Sequence, residues 1–460
     1  MKQLIYSIGI FLFPFLTFSQ WTLTSQEDFT QEIIETNDGA FVFSAQNESS
    51  SDPFFYKIDI NGCPLWERNL DIPNGFVCGI RNTPDGGFIL SGSFPGNWEG
   101  FLIKTNSEGI QEWFHNYNLP AGSRYINVAI DDDGNYVTIG GYDLGNVGGE
   151  IGYFIKKVDT NGNEIWTNYI DSFTRHNLRS LQTTSDGGFI VCGFVDLQGL
   201  PQPDWFGLPQ GFSNPDIVLI KIDSNGNQLW SKTFYEPDVS NFHNIERGFN
   251  AIETSDGGFL IACSRNIEAW GNQDNWGKGS LIKTNSNGDL EWEKFYDGGS
   301  QDYLSGSWEN ARGGQLFEVI EESNGNFTVV GVTKDYGPEP EKNYAWVLKT
   351  DTNGNEIESF YYGTTNSHIH PNEIIKISDG GYIIAGYSEL TAWDDWQGGR
   401  DVIIMKIDED GSACISFFEE GICNVCSNEN QDNSEAIEDD NSCEYIEEVD
   451  LGEDITTCDE

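Results

Sequence analysis

Leu181-Gln182-Thr183-Thr184-Ser185-Asp186-Gly187-Gly188-Phe189-Ile190-Val191 opens the stretch that decides the fold. After a long insert it resumes at Asp216-Ile217-Val218-Leu219-Ile220-Lys221-Ile222-Asp223, turns at Asn225-Gly226 and ends Gln228-Leu229-Trp230-Ser231-Lys232-Thr233-Phe234-Tyr235. The same order of events occurs seven times. The first turn falls at Asp38-Gly39, Asp85-Gly86, Asp133-Gly134, Asp186-Gly187, Asp256-Gly257, Asn324-Gly325 and Asp379-Gly380, in steps of 47, 48, 53, 70, 68 and 55 residues. A lysine precedes each second turn: Lys57, Lys104, Lys157, Lys221, Lys283, Lys349 and Lys406. The second turns end at Gly62, Gly109, Gly162, Gly226, Gly288, Gly354 and Gly411. Four residues later stand Trp66, Trp113, Trp166, Trp230 and Trp292, with Glu358 and Ile415 in the last two copies.

Asp-Gly and Asn-Gly between apolar runs are strong hairpin signals, because glycine accepts the positive φ of a tight turn. Each copy therefore reads strand, turn, strand, long loop, strand, turn, strand. Four strands per copy at a period of roughly 40–50 residues indicate a propeller blade. Runs rich in Ile, Val, Phe and Tyr, without a 3.6-residue period, disfavour helical repeats. The expected fold is all-β: a seven-bladed β-propeller of four-stranded antiparallel blades, followed by a disordered acidic C-terminal tail. The blades are placed at about 29–71, 76–118, 124–170, 177–235, 247–296, 315–361 and 370–418, within a propeller at 20–418.

The chain has 460 residues and a formal charge of −50, which argues against nucleic-acid backbones and anionic membranes as partners. Met1 to Ser19 reads as a secretory signal peptide: Lys2, an apolar run from Leu4 to Phe18, and a cleavage site after Thr17-Phe18-Ser19. The localisation expected is secreted, extracellular or at the outer cell surface, without membrane insertion. Trp21-Thr22-Leu23-Thr24 resembles a fourth strand and is expected to dock on the last blade, beside or instead of Ser412 to Phe418. Residues 419–448 form an acidic cysteine-containing linker, and 419–460 hold 16 acidic groups with no Lys or Arg. Residues 449–460 read as the start of a truncated Ig-like module, so the propeller is expected to be a monomeric unit of a larger chain.

Laid out this way, the repeats resemble a family of secreted propellers common in Bacteroidetes. The shared pattern is Ser-Asp-Gly-Gly-[Phe/Tyr]-[Ile/Leu]-[Ile/Val]-x-Gly, then Lys-[Ile/Thr]-[Asp/Asn]-x-x-Gly-[Asn/Asp]-x-x-Trp. Ser185 to Gly193 with Lys221 to Trp230, and Ser378 to Gly386, carry it; the likeness covers residues 29–418. Leu451 to Cys458 looks like the start of the Ig-like modules of type IX secretion cargo. The resemblance implies surface display or release and supplies no activity.

An antiparallel meander places the tight turns at one end of every blade and the longer connections at the other. That second face carries Trp98, Trp205, Trp270, Trp276, Trp393 and Trp396 between second and third strands, and Trp308 between blades. Asp204, Asp274, Asp394 and Asp395 sit among them. Tryptophan beside carboxylate suits sugar rings, whose faces stack while hydroxyls bond to acids; the alternative is that these rings cover the cores of their own loops. Arg124, Arg247 and His370 stand nine residues before their turn aspartates and Arg179 seven before its own. They form a candidate basic cluster at the channel mouth, for a ligand carboxylate or sulfate, or else local ion pairs with acids such as Glu246. The seven lysines are expected to pair with carboxylates of their own blades rather than to form a ring of anion ligands.

Second turns such as Asp159-Thr160-Asn161-Gly162-Asn163-Glu164 match a calcium loop only in part and also resemble the structural Asp-box of sialidase propellers. No cofactor is expected, calcium being the alternative. No catalytic motif stands out, although Arg124, Arg179 and Arg247 are the residues an arginine triad would use. Cys192 and Cys263 are expected to be buried thiols. Cys63 and Cys78 lie poorly placed to pair, and Cys414, Cys423, Cys426 and Cys443 are disulfide candidates. The function expected is a binding module for glycan or another extracellular polymer. The alternatives are a carbohydrate-active enzyme, sialidase-like or another glycosidase or lyase, and a structural spacer.

Overall fold

A computed structural model describes residues 32–411, apart from 47–52, 61, 63, 95–98, 118–123, 144–150, 171–175, 197–214, 235–243, 269–276, 297–313, 334–342, 364–366, 391–399 and 410. The chain folds as a seven-bladed β-propeller, each blade an antiparallel meander with strands bonded in chain order. Blades one to six have four strands; blade seven shows three among the described residues, at Ser367–Lys376, Tyr382–Leu390 and Arg400–Ile407. Both proposed fourth strands for it, 412–418 and 21–24, lie outside the described residues. So do the signal segment, the acidic linker and tail, and the Ig-like start.

The turns form as the glycines dictate. In Asn37-Asp38-Gly39, the Gly39 N–H donates to the Thr36 carbonyl at 2.9 Å and the Thr36 N–H to the Ala40 carbonyl at 2.7 Å. This is a three-residue loop whose last position is left-handed. The turn glycines of all seven blades have φ between 70 and 98°.

The lysine beside each turn explains the aspartate. Lys57, Lys221 and Lys283 reach Asp38, Asp186 and Asp256 at 2.7, 2.9 and 2.9 Å, and Lys406 reaches Asp379 at 2.6 Å. Lys104 is 2% exposed and holds both Asp85 and Glu112 at 2.9 Å. Burial works against the Asp186 carboxylate, but hydrogen bonds from Thr184, Lys221 and the Gly188 N–H bring its pKa to about 2. One blade departs from the expected pairing within a blade. In blade three Lys157 keeps to it but uses Asp131, two residues before the turn aspartate. In blade six Asn324 replaces the aspartate, and Lys349 donates instead to the Glu409 carbonyl of blade seven.

Blades are joined by two recurring devices. Each fourth-strand tryptophan lies against the second turn of the next blade. A Cβ on Gly109, Gly288 or Gly354 would come within 2.7 Å of Trp66, Trp230 or Trp292. Where blade six has Glu358, Phe360 takes over and covers Gly411. On the innermost strands, Glu253 and Glu321 accept from the backbone and hydroxyl of Ser185 and Ser255 in the preceding blade. Glu35 does the same for Ser378, with bonds of 2.9 and 2.5 Å. That clip closes the ring between blades seven and one. Behind it Ile33, Phe41, Phe43, Tyr56, Ile383, Val402 and Ile404 form one apolar cluster.

Cys192 and Cys263 are buried free thiols, and Cys78 is buried too; Cys63 lies outside the described residues. Burial pushes the Cys263 thiol up to about 12, so it is no nucleophile. Among the described residues no helix is long and apolar enough to cross a membrane.

Candidate functional site: the central channel

The first strand of each blade borders the channel. These strands are Ile33–Glu35, Phe76–Asn82, Arg124–Ile130, His176–Thr183, Asn244–Glu253, Gly314–Glu321 and Ser367–Lys376. In blades five and seven they begin at Asn244 and Ser367, three residues before the expected 247 and 370. The inner pairing of blades two to seven slips by one residue. The extra residues are Cys78, Ile126, Arg179, Phe249, Phe317 and Asn372. A bulge breaks the in–out alternation and re-aims a side chain.

Six residues before each turn aspartate (or Asn324) lies a second set: Glu32, Gly79, Asn127, Ser180, Asn250, Glu318 and Glu373. This column deals with a liability of the fold, the unpaired N–H groups on the inner edge of each blade. Glu32 accepts from the Ile80 N–H of the next blade at 2.7 Å, and Glu373 accepts from the Ile33 N–H in the same way at 2.6 Å. Gly79 has no side chain to offer, so Asn127 bonds its own Val128 N–H at 2.7 Å. Asn127 also donates to Glu32 at 3.1 Å and accepts from Arg81 at 3.2 Å. Arg81 pairs with Glu32. Among the described residues Ser180 Oγ and Asn250 Oδ1 have no hydrogen-bond partner, although each residue is 3% exposed.

Charge is divided across the channel. Glu32, Glu318 and Glu373, from blades one, six and seven, share the field of Arg81. Burial, then repulsion from Glu32, raises the Glu318 carboxyl well above its ordinary value. Burial raises Glu373 likewise, with repulsion from Glu32 and Glu318 added. Blades four and five contribute the guanidinium groups of Arg179 and Arg247. The Arg179 guanidinium lies 4.8 Å from the Phe249 ring centroid and 5.4 Å from that of Phe194. Phe249 meets Phe317 edge-to-face at 4.9 Å. Arg247 lies 5.9 Å from Phe194. Thus the bulge residues of three consecutive blades form one cation–aromatic row.

Of the predicted basic cluster, the structure brings Arg179 and Arg247 together around Phe194. Glu246, the acid proposed as a local partner for the arginines, pairs with Arg265. His370 belongs to a separate group: it stacks on Tyr387 at 4.7 Å and meets Asn343 at 3.0 Å. Arg124 begins its innermost strand, and its side chain lies outside the described residues, as do Trp98, Trp205, Trp270, Trp276, Trp308, Trp393 and Trp396. Phe249, Phe317 and the three glutamates were missed by the sequence reading. The six-before-the-turn column, polar in six of seven copies, is the signal that identifies the glutamates.

In the second turns Asp159 Oδ1 accepts from the N–H groups of Asn161 and Asn163 at 2.9 and 2.8 Å, and Oδ2 accepts from the Asn163 amide at 2.9 Å. Asp223 and Asp351 repeat the arrangement. The turn's own donors occupy the oxygens that a cation would take. Among the described residues no group of three or more His, Cys, Asp or Glu is spaced to hold a metal.

The sequence matches no family model and no curated protein. Solved structures are similar. A puromycin hydrolase aligns at 11% identity and TM-score 0.52 over 90% of this chain and 58% of its own. The Dos1 propeller aligns at 12% identity and TM-score 0.45, covering 84% and 81%. Hydrazine synthase of Kuenenia stuttgartiensis aligns at 12% and 0.48, covering 81% and 100%. Likeness at such identity concerns the fold alone.

Proposed function

We propose that this chain is a secreted or cell-surface propeller that binds a glycan or another extracellular polymer through its long-connection face. The observation that supports this most is the difference between the two faces. At the turn face the charged groups are largely spent within the protein, lysine against aspartate and aspartate against asparagine. At the other end the innermost strands bulge and direct Arg179, Phe249 and Phe317 toward the channel, while the long connections carry the tryptophans. Long loops on a rigid scaffold are the usual place for binding, and a half-buried row of aromatic and cationic groups suits sugars better than it suits a spacer. Export through an N-terminal signal, with display as type IX cargo, is part of the same proposal. The test is a glycan array probed with the secreted protein. Binding should fall on Trp393→Ala and on Trp276→Ala; an array without signal at any polymer sinks the proposal.

A further inference from the structure

We propose that the outer edge of blade seven is a docking site for a segment of this same chain, Trp21-Thr22-Leu23-Thr24. The segment lies there as the fourth strand, with the Trp21 indole set into the joint between blades seven and one. Among the described residues no strand lies beside the outer edge of Arg400–Ile407, where each of the other six blades carries a fourth strand. An edge of this kind presents backbone N–H and C=O groups to a pairing segment. Beside it is a shallow open pocket. Ile383, Ile404 and Lys406 of blade seven form one side, and Phe41, Ile60 and Gly62 of blade one the other.

The other joints show which side chain such a pocket receives. Trp66, Trp113, Trp166, Trp230 and Trp292 stand directly opposite Lys57, Lys104, Lys157, Lys221 and Lys283, and directly opposite residues share one face of the sheet. Trp66, Trp113 and Trp230 pack on the ring that opens the second strand of the next blade, Phe88, Tyr136 and Phe259, at 6.4, 6.1 and 5.7 Å. The ring in that position of blade one is Phe41. Trp113 Nε1 donates to the carbonyl of Thr160, the residue after Asp159 in the next second turn, at 3.1 Å; in blade one the residue after Asp59 is Ile60, 36% exposed. Gly62 is the counterpart of the glycines that Trp66, Trp230 and Trp292 cover. The pocket thus offers the ring, the acceptor and the glycine that receive an indole elsewhere. Lys406 agrees: its side chain is 25% exposed, against 9, 2, 12, 6 and 4% for the five lysines opposite a tryptophan.

Position in the chain selects Trp21 as the occupant. It stands 17 residues before Asp38, and Trp66, Trp113 and Trp166 stand 19, 20 and 20 before the next turn aspartate. Eight residues separate Thr24 from Ile33, against six between Asn69 and Phe76 and seven between Asn116 and Arg124. A link of ordinary length therefore joins the segment to blade one. The common register then sets Trp21 opposite Lys406 and Leu23 opposite Ile404. The rival is the segment after Gly411, which puts Ile415 opposite Lys406 and Phe417 two residues on, as Phe360 covers Gly411 in blade six. In blade six, however, Lys349 leaves its own blade for the Glu409 carbonyl. Lys406 stays on Asp379, as the lysines opposite a tryptophan stay on carboxylates of their own blades. Blade seven matches the tryptophan-bearing blades.

The experiment is hydrogen–deuterium exchange read by mass spectrometry on the full secreted chain, with Trp21→Ala, Trp21→Phe and Phe417→Ala alongside. In the parent, the amides of residues 22–24 should exchange at least about tenfold more slowly than in an unstructured peptide, and residues 400–407 should be protected with them. Trp21→Ala should lose at least about tenfold of the protection at both segments. It should also raise the unfolding constant in urea about a hundredfold or more, as truncation of a buried tryptophan does. Trp21→Phe should keep most of the protection, and Phe417→Ala should leave 400–407 unchanged. If Trp21→Ala fails to fold, the parent measurement and Trp21→Phe decide the matter. Free exchange at 22–24 in the parent overturns the inference. Protection of 400–407 that is indifferent to Trp21→Ala overturns it too, as does protection that Phe417→Ala removes, which assigns the place to the segment after Gly411.

Discussion

Arg81→Met tests the electrostatics of the channel. The guanidinium lies within the field of Glu32, Glu318 and Glu373 and pairs with Glu32, whose side chain is 8% exposed. Two unit charges at about 4 Å in a medium of effective dielectric about 20 attract by about 4 kcal/mol. Removing one partner of a buried pair typically costs about 3–5 kcal/mol. Glu32 keeps its bonds from Ile80 and Asn127, so a loss near 3 kcal/mol at about pH 7.5 is expected. The pH dependence carries the reasoning further. Without Arg81 the Glu318 and Glu373 carboxyls, already raised by burial, rise further above their unfolded value of about 4.3. A raised native pKa contributes stability that is present below the unfolded value and lost as pH rises through the native one. The cost of Arg81→Met should therefore shrink toward about pH 4.5 and grow above it. Adding Glu32→Gln should recover roughly half, because one uncompensated charge is gone. Urea unfolding followed by tryptophan fluorescence across this range measures all of it. A loss below about 1 kcal/mol at neutral pH, or one independent of pH, would show that the three carboxyls do not depend on this cation.

Two further outcomes follow from the same geometry. Glu318 is raised chiefly by burial, so Glu318→Gln should gain stability relative to the parent as pH rises from about 4.5 to about 8; urea midpoints at both ends decide it, and a relative loss with rising pH contradicts the burial argument. Gly288→Ala and Gly257→Ala meet the same positive φ, 75 and 80°, but only Gly288 has a tryptophan within 2.7 Å of the new methyl. Both should lose about 1–2 kcal/mol for the left-handed backbone, and Gly288→Ala should lose about 1 kcal/mol more for displacing Trp230; equal unfolding midpoints would remove the tryptophan from the joint between blades.

The repeat was legible in the sequence because its causes are local. A glycine at positive φ closes each hairpin, and the apolar runs on either side can only be strands, so turn spacing alone counts seven blades. Each lysine finds a carboxylate within its own blade in all blades but the sixth, and that much was legible too. It failed where a local substitution broke it: Asn324 left Lys349 to find Glu409 in the next blade. The channel was not legible for the opposite reason. Glu32, Arg81, Glu318 and Glu373 are brought together only when blade seven meets blade one through Glu35 and Ser378. Bulges decide which side chains turn inward, and a bulge is a property of two paired strands rather than of one run of residues. Arg179 and Arg247 could be named from the chain, but their aromatic partners could not, since Phe249 and Phe317 read as ordinary strand residues. The hairpins are set by neighbours in sequence; the site is set by closure of the ring, which places residues hundreds of positions apart around one channel.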